Sequence, residues 1–457
     1  MISSATLWVI GPSRTYKVPS AVESLVNNGD TIEIDNGLYQ GDCALWSKNN
    51  LVLRGKGGMA HLDANGQSKQ GKAIWVISGN NTTIEYIEFS GCTVVDKNGA
   101  GIRLEGTNFI VRHCYFHDNE DGIVGGSSGD ILIEYSEFSH NGYGDGYSHN
   151  IYINHANSLT LQYCYMHHTK IGHEVKSRAH KNYILYNRIM NESDGTASRE
   201  IDLPDGGLAI VIGNLIQQGP NTSNSNMLGY GGESLSNNPP HQLYVINNTF
   251  VNQRGNNGVF ISVPIATNLL KVYNNIFTGQ PYTFLSGSAT SIDTLTNLFI
   301  PDDTKAGFSN LAGYDYHLTS TSAAINKGSI PGNAGTFSLT PVFEYKHPMD
   351  NSNRTQLGQI DIGAYEFRTT SILKSDNTAQ HVRFYNDRQT FTCYISLPDF
   401  STATSIQVFD ISGKNMVKPV KNIKNNFELN YNGWPKGLYL VKITMNGAEI
   451  IKKLLIN

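Results

Sequence analysis

The sequence predicts an all-β chain, a parallel β-solenoid followed by a small β-sandwich, and three observations predict it. A six-residue strand-like segment recurs at intervals near 25 residues. Glycine is abundant at 45 residues, asparagine is frequent, and long runs of Ala, Leu, Glu and Lys that would build helices are missing. The last 75 or so residues alternate apolar and polar in four short blocks of a different character.

The repeated segments are IEYIEF from Ile84, VRHCYF from Val111, IEYSEF from Ile133, LQYCYM from Leu161, ILYNRI from Ile184, VIGNLI from Val211, VINNTF from Val245 and VYNNIF from Val272. A unit of this size cannot bury its apolar face alone, so successive units must stack. Leucine-rich repeats share the period but need an L-x-x-L-x-L frame, which these units lack. The fourth position of the repeat reads Ile87, Cys114, Ser136, Cys164, Asn187, Asn214, Asn248 and Asn275, which predicts an asparagine ladder along the later coils. Cys114 and Cys164 fall two coils apart, roughly 9.6 Å at about 4.8 Å per layer. That exceeds the roughly 7 Å Cα limit for a disulfide, so both are expected as buried thiols. The five cysteines show no metal-ligand spacing.

With a formal net charge of −4 and 16% charged residues, the chain has no global attraction to nucleic acid. No apolar run is long enough to span a bilayer. The opening MISSATLWVIG carries no export leader, so a secretion address is sought at the other end. The predicted layout is a β-helix over residues 1–300 with an N-terminal cap, an extension over 301–370 closing with QIDIGAYEF, a Ser/Thr/Asn-rich linker over 371–380, and a β-sandwich over 381–457.

The second alternation of each unit carries the polar chemistry: GIRLEG from Gly101, GIVGGS from Gly122, NIYINH from Asn150, GHEVKS from Gly172 and EIDLPD from Glu200. Strict in-out alternation puts Arg103, Val124, Tyr152, Glu174 and Asp202 in one outward column. Glu105, Gly126, Asn154, Lys176 and Pro204 form the next, with Arg178 one strand step further and His173 turned inward. The expected patch therefore contains Tyr152, Asn154, Glu174, Lys176, Arg178 and Asp202, with His149 in the same coil as Tyr152. Glycine-rich turns, GYGDGYS and LGYGGES, give a ligand room to approach, and the second brings Glu233.

Parallel β-helix enzymes that act on acidic polysaccharides need a group to neutralise the uronate carboxylate, a base and an acid for β-elimination, and this set resembles such a face. Arg178 can grip the uronate carboxylate with a fork that does not lose its proton. Lys176 or His149 is the candidate base for the C5 proton, and Tyr152, with His173 behind it, the candidate acid for the leaving oxygen. Glu174, Glu200, Asp202, Asp205 and Glu233 keep a two-carboxylate glycoside hydrolase open, although Asp205 before Gly206 and Gly207 reads first as a turn residue. A non-catalytic glycan-binding solenoid stays open too. His113, His117, His140, His155, His167, His168 and His180 lack paired metal spacing and read as structural.

On these segments, residues 20 to 300 resemble the right-handed parallel β-helix proteins of the pectate lyase type. The stretch YKVPSAVESLVNNGDTIEIDNGLYQG is similar to their N-terminal cap, which implies a short helix from about Val18 to Val26. The E-x-K-S arrangement at Glu174 to Ser177 resembles the chondroitinase B and alginate lyase group of polysaccharide lyases. That resemblance implies an acidic polysaccharide substrate, Lys176 as base, and calcium held by Glu174 with Asn154. Where that group carries an Arg-His-Gly turn, this chain has SREIDLPDGG, so Arg199 is the candidate for its second arginine. The β-helix C5-epimerases are less similar, because their Asp-Pro-His motif is absent. The series VFDISGK, KGLYLVKI and KKLLIN resembles the C-terminal sorting domain of type IX secretion substrates. It implies the type IX machinery as a partner and a secreted or cell-surface location.

Overall fold

The computed structural model describes residues 5–368, 383–387, 391–396, 402–410, 413–417, 420–424, 426–445 and 448–456. The expected linker, 371–380, lies outside the described residues. Two compact units result, Met1–Thr369 and Thr370–Asn457.

The first unit is a right-handed parallel β-helix, in which 29 strands among the described residues pair in parallel with strands of neighbouring coils. One face carries Ala73–Ile77, Ala100–Leu104, Asp121–Gly125, Ile151–Ile153, His173–Ser177, Arg199–Leu203 and Asn226–Tyr230. A second carries Thr82–Glu85, Phe109–Arg112, Asp130–Glu134, Ser158–Gln162, Lys181–Leu185, Leu208–Ile212 and Gln242–Ile246. A third carries Ile87–Ser90, Tyr115–His117, Glu137–Ser139, Tyr165–His167, Arg188–Met190, Leu215–Gln218 and Thr249–Asn252. The first position of the repeat is in register from coil to coil, Ile84 with Val111, then Ile133, Leu161, Ile184, Val211, Val245 and Val272. All eight side chains are fully buried. Phe89, Phe116 and Phe138 stack at 4.8 and 4.6 Å between ring centroids, giving the core a continuous aromatic spine.

The asparagine ladder is present. Asn187 donates through Nδ2 to Asn214 Oδ1 at 3.0 Å, Asn214 to Asn248 at 2.9 Å, Asn248 to Asn275 at 3.0 Å, and Asn275 to Asn297 at 2.9 Å. Earlier coils put Cys114, Ser136 and Cys164 at this position, and both thiols are free and buried. The third position of the repeat holds a left-handed backbone in all eight repeats, at Tyr86, His113, Tyr135, Tyr163, Tyr186, Gly213, Asn247 and Asn274. That conformation is costly for residues with a Cβ. It recurs here because it bends each segment between the second and third faces, where the rings of Tyr86, His113, Tyr135, Tyr163 and Tyr186 stack in one file.

Residues 301–368 run back along this file. Phe343 packs edge-on against Tyr163 and Tyr186, and the Asn351 amide donates to the Tyr135 hydroxyl at 2.8 Å. Arg354 and Glu366 form a buried ion pair at 2.9 Å. At the other end, a single 3-10 turn, Pro19–Val22, stands where a helix to Val26 was expected. Its proline fits the first turn, which needs no backbone donor there.

The second unit is a small β-sandwich. Arg383–Asp387, Thr392–Ser396 and Asn426–Asn430 form one antiparallel sheet, and Val420–Lys424, Thr402–Asp410, Gly437–Met445 and Ala448–Ile456 the other. Cys393, Ile395 and Leu429 from the first sheet meet Ile406, Val408, Val441, Ile443 and Leu454 from the second in one core.

Candidate active site

The outer wall of the first face gathers most of the anticipated residues, in a register two residues removed from the repeat alignment. Tyr152 pairs with Lys176, and Lys176 with Asp202. His173 pairs with Arg199. Arg178 N donates to Ile153 O at 2.9 Å, which sets Arg178 beside Asn154. The strand is set two residues further along than the repeat alignment has it, so Lys176 and not Glu174 stands level with Tyr152; separately, alternation breaks at Glu174, which is fully buried next to Val175. His173 then lies outside with Lys176, not inside as alternation requires.

Glu174 is therefore not on the wall. Its carboxyl accepts from Thr169 N at 3.1 Å, from Thr169 Oγ1 at 2.8 Å and from the Asn150 amide. Burial pushes its pKa up to about 8. A calcium ion on the wall cannot use this enclosed group, and Glu174 cannot pair with Lys176. The three carboxylates that do reach the wall are each bound to a cation, so the expected calcium site does not fit these residues.

Arg178 is the hub. Its Nε donates to the Tyr152 hydroxyl oxygen at 2.9 Å, one terminal nitrogen binds Asp205 Oδ1 at 2.6 Å, and the other binds Glu233. Burial opposes its charge, but Glu233, Tyr152 and Asp205 outweigh burial and hold its pKa above the ordinary value. Lys176 Nζ binds the other Glu233 oxygen at 3.1 Å and lies 5.5 Å from the Tyr152 ring centroid. One carboxylate thus bridges the two cations. Glu233 gets there because its backbone N–H donates to Pro204 O at 3.2 Å, folding the Gly231–Gly232 turn over the wall.

Asp202 pairs with Arg199 and lies 3.6 Å from His173 Nε2. A Cβ at Gly229 would stand 3.0 Å from Asp202 Oδ1 and 3.3 Å from Arg199, so glycine in the LGYGGES turn makes room for this pair. Burial raises the Asp202 pKa. Burial pushes the Asp205 and Glu233 carboxyls the same way, but hydrogen bonds to Ser234 for the first and to Arg178 and Lys176 for the second bring both below the ordinary range. Burial drives His149 well below its usual value and His173 down to about 3, so both rings are neutral at pH 7. His149 Nδ1 accepts from the His173 backbone N–H at 3.0 Å, so its proton is on Nε2, and the two rings stack at 4.8 Å.

Two members have other parts here than the sequence reading gave them. Asp205 is more than a turn former: besides Arg178 it accepts from Ser234 Oγ at 2.9 Å, and it pairs with His155 Nε2 at 2.9 Å. His155 was read as structural, but it stands at the edge of the same patch. Correct register would have found Asp205, which follows Pro204, the residue level with Arg178.

Residues 49–214 match the family model described as right handed beta helix region. Residues 389–457 match the secretion system C-terminal sorting domain. The second match marks the chain for export by the type IX route, to the cell surface or the medium. Among solved structures, pectate lyase Pel9A is similar with a TM-score of 0.54 at 15% identity, covering 80% of this chain and 98% of that one. At this identity the likeness is one of fold. Alginate lyase AlyGC is similar at 12% identity over 83% of this chain and 60% of its own, with a TM-score of 0.28. A pectin methylesterase is similar at 14% identity over 41% of this chain and 66% of its own, with a TM-score of 0.32. No curated protein sequence matches the chain.

Proposed function

We propose that this exported protein is a polysaccharide lyase that cleaves a uronic-acid-containing chain by β-elimination at the Lys176–Arg178 wall. The observation that carries the reading is the Glu233 carboxylate between Lys176 and Arg178. It shows that the two cations are spaced to share one carboxylate, which is what a uronate presents. The Glu233 side chain is 47% exposed, against 1% for Asp205, so it is the carboxylate that a sugar acid can displace.

In the displaced state, Arg178 neutralises the uronate carboxylate and makes the C5 proton acidic, a contribution of about 3 to 4 kcal/mol for one well-placed donor. Lys176, next to Arg178 on the same wall, is the residue placed to take that proton as base. The Tyr152 hydroxyl accepts from Arg178 and so keeps its own hydrogen for the leaving glycosidic oxygen. Buried Asp205 holds the guanidinium in place when Glu233 leaves, and Arg199 with Asp202 lines the neighbouring coil.

A second reading has its own support. Burial raises Asp202 while hydrogen bonds lower Asp205 and Glu233, and a glycoside hydrolase sets its acid and its base apart in these directions. The deciding experiment is incubation with alginate, pectate, hyaluronan, chondroitin and heparin-type chains. Growth of unsaturated-uronate absorbance supports elimination. New reducing ends without that absorbance support hydrolysis, and binding with neither product supports a glycan-binding solenoid.

A further inference from the structure

We propose that His61, Glu88 and His117, on the third face of the solenoid, form a binding site for a divalent transition-metal ion of the zinc class. They come from three successive coils, in the strands Val52–Asp63, Ile87–Ser90 and Tyr115–His117. Register explains their meeting. His61 pairs with Glu88, and His117 pairs with Ser90 two residues along. The small Ser90 side chain leaves the two imidazoles free to approach, with ring centroids 5.8 Å apart.

One potential ligand atom from each residue lies within 4.8 Å of the other two. Glu88 Oε1 is 3.1 Å from His117 Nε2 and 3.6 Å from His61 Nδ1. Ligands about 2.1 Å from a tetrahedral ion are about 3.4 Å from one another, so these separations bracket the required edge. Each imidazole is also held through its other nitrogen. His117 Nδ1 pairs with Asp118 at 2.8 Å, and His61 Nε2 with Ser90 Oγ at 2.7 Å. A carboxylate behind a ligating histidine orients the ring and raises its donor strength. Two imidazoles and one carboxylate favour a zinc-class ion over calcium or magnesium, which prefer all-oxygen sets. All three side chains are partly exposed, at 18 to 29%, so an ion and a completing water can enter.

The site is separate from the Lys176–Arg178 wall, which is built on the first face. Its role follows from its construction: one ion would tie three coils together near the N-terminal end of the solenoid. Because the residues are 27 and 29 positions apart, local spacing rules for metal motifs do not detect them.

The test is calorimetric titration of zinc chloride into the full chain after chelator treatment, with cobalt(II) absorption as a second readout. One ion per chain is expected, with visible cobalt bands of tetrahedral nitrogen and oxygen ligation. Ten- to hundredfold weaker binding is expected in His61→Ala, Glu88→Gln and His117→Ala, each checked for unchanged circular dichroism. His168→Ala, on a separate histidine cluster paired with Asp194, is expected to bind as the parent does. Absence of zinc binding shows an ion-pair cluster only and overturns the proposal. Binding unchanged in the three variants, or lost in His168→Ala instead, overturns it as well.

Discussion

The Tyr152 hydroxyl oxygen sits 2.9 Å from Arg178 Nε, in a bond where the guanidinium donates. The phenol hydrogen is then directed elsewhere, and the arginine is oriented by a group on the coil below. Arg178→Lys replaces a fork holding Tyr152, Asp205 and Glu233 with a single point charge. It is expected to lower kcat/KM on the active uronate chain by about 10²- to 10³-fold, read from product absorbance, with the fold unchanged by circular dichroism.

Tyr152→Phe separates acid from platform. The ring and its cation contacts stay, and only the hydroxyl is lost. A fall in kcat of about 10²-fold or more with KM nearly constant is expected for a proton donor. A change confined to KM would make Tyr152 a binding surface.

Glu233→Gln distinguishes the two enzymatic readings. If Glu233 only occupies the place of the substrate carboxylate, removing its charge lowers KM several-fold and leaves kcat largely intact. If Glu233 is an ionised carboxylate doing hydrolytic work, kcat collapses. Initial-rate kinetics on one substrate decides between them.

The solenoid was legible because its register is written in one-dimensional form: Ile84, Val111, Ile133 and their successors repeat, and Asn187, Asn214, Asn248 and Asn275 name a column directly. The wall was legible in membership more than in order. Lys176, Arg178, Tyr152, Asp202 and Glu233 do converge, but the alignment put the Glu174 strand two residues out of register, and alternation breaks there and in the next coil, where Glu174 with Val175 and Glu200 with Ile201 are fully buried. A buried glutamate satisfied by Thr169 and Asn150 looks in sequence like a surface charge. The contacts of Asp205 with His155 and of Glu233 with Lys176 span 50 and 57 residues. Coil stacking creates such contacts, and no local spacing announces them.

Glu174 also predicts a pH effect on stability. Its folded-state pKa, about 8, lies above the ordinary 4.5, so the folded state retains a proton that the unfolded state has lost. The stability linked to this group is fully present below about pH 4.5 and is lost as pH rises towards 8, at up to about 1.4 kcal/mol per unit. Glu174→Gln stays neutral throughout. Its Tm relative to the parent is therefore expected to rise between pH 5 and pH 8, and a constant difference would mean that Glu174 is ionised in the fold.

The asparagine column gives the sharpest test of what holds the coils in register. Asn248 Nδ2 donates to Val211 O at 2.8 Å, Ile246 O at 3.1 Å and Asn275 Oδ1 at 3.0 Å, and its Oδ1 accepts from Asn214 N and Asn214 Nδ2, both at 2.9 Å. Asn248→Ala leaves these groups in a dry interior, where each unsatisfied one costs about 1 kcal/mol or more. A loss of roughly 3 to 5 kcal/mol is expected from the shift in urea midpoint. Asn108 also bonds a neighbouring asparagine, Asn81, at 2.8 Å, but it is exposed, so water replaces what Asn108→Ala removes. That variant should lose clearly less than Asn248→Ala, about 1 to 2 kcal/mol, mostly from placing alanine in the left-handed backbone of Asn108. Equal losses in the two would mean that the interior ladder adds nothing beyond ordinary side-chain packing, and that the coils are held in register by their apolar columns alone.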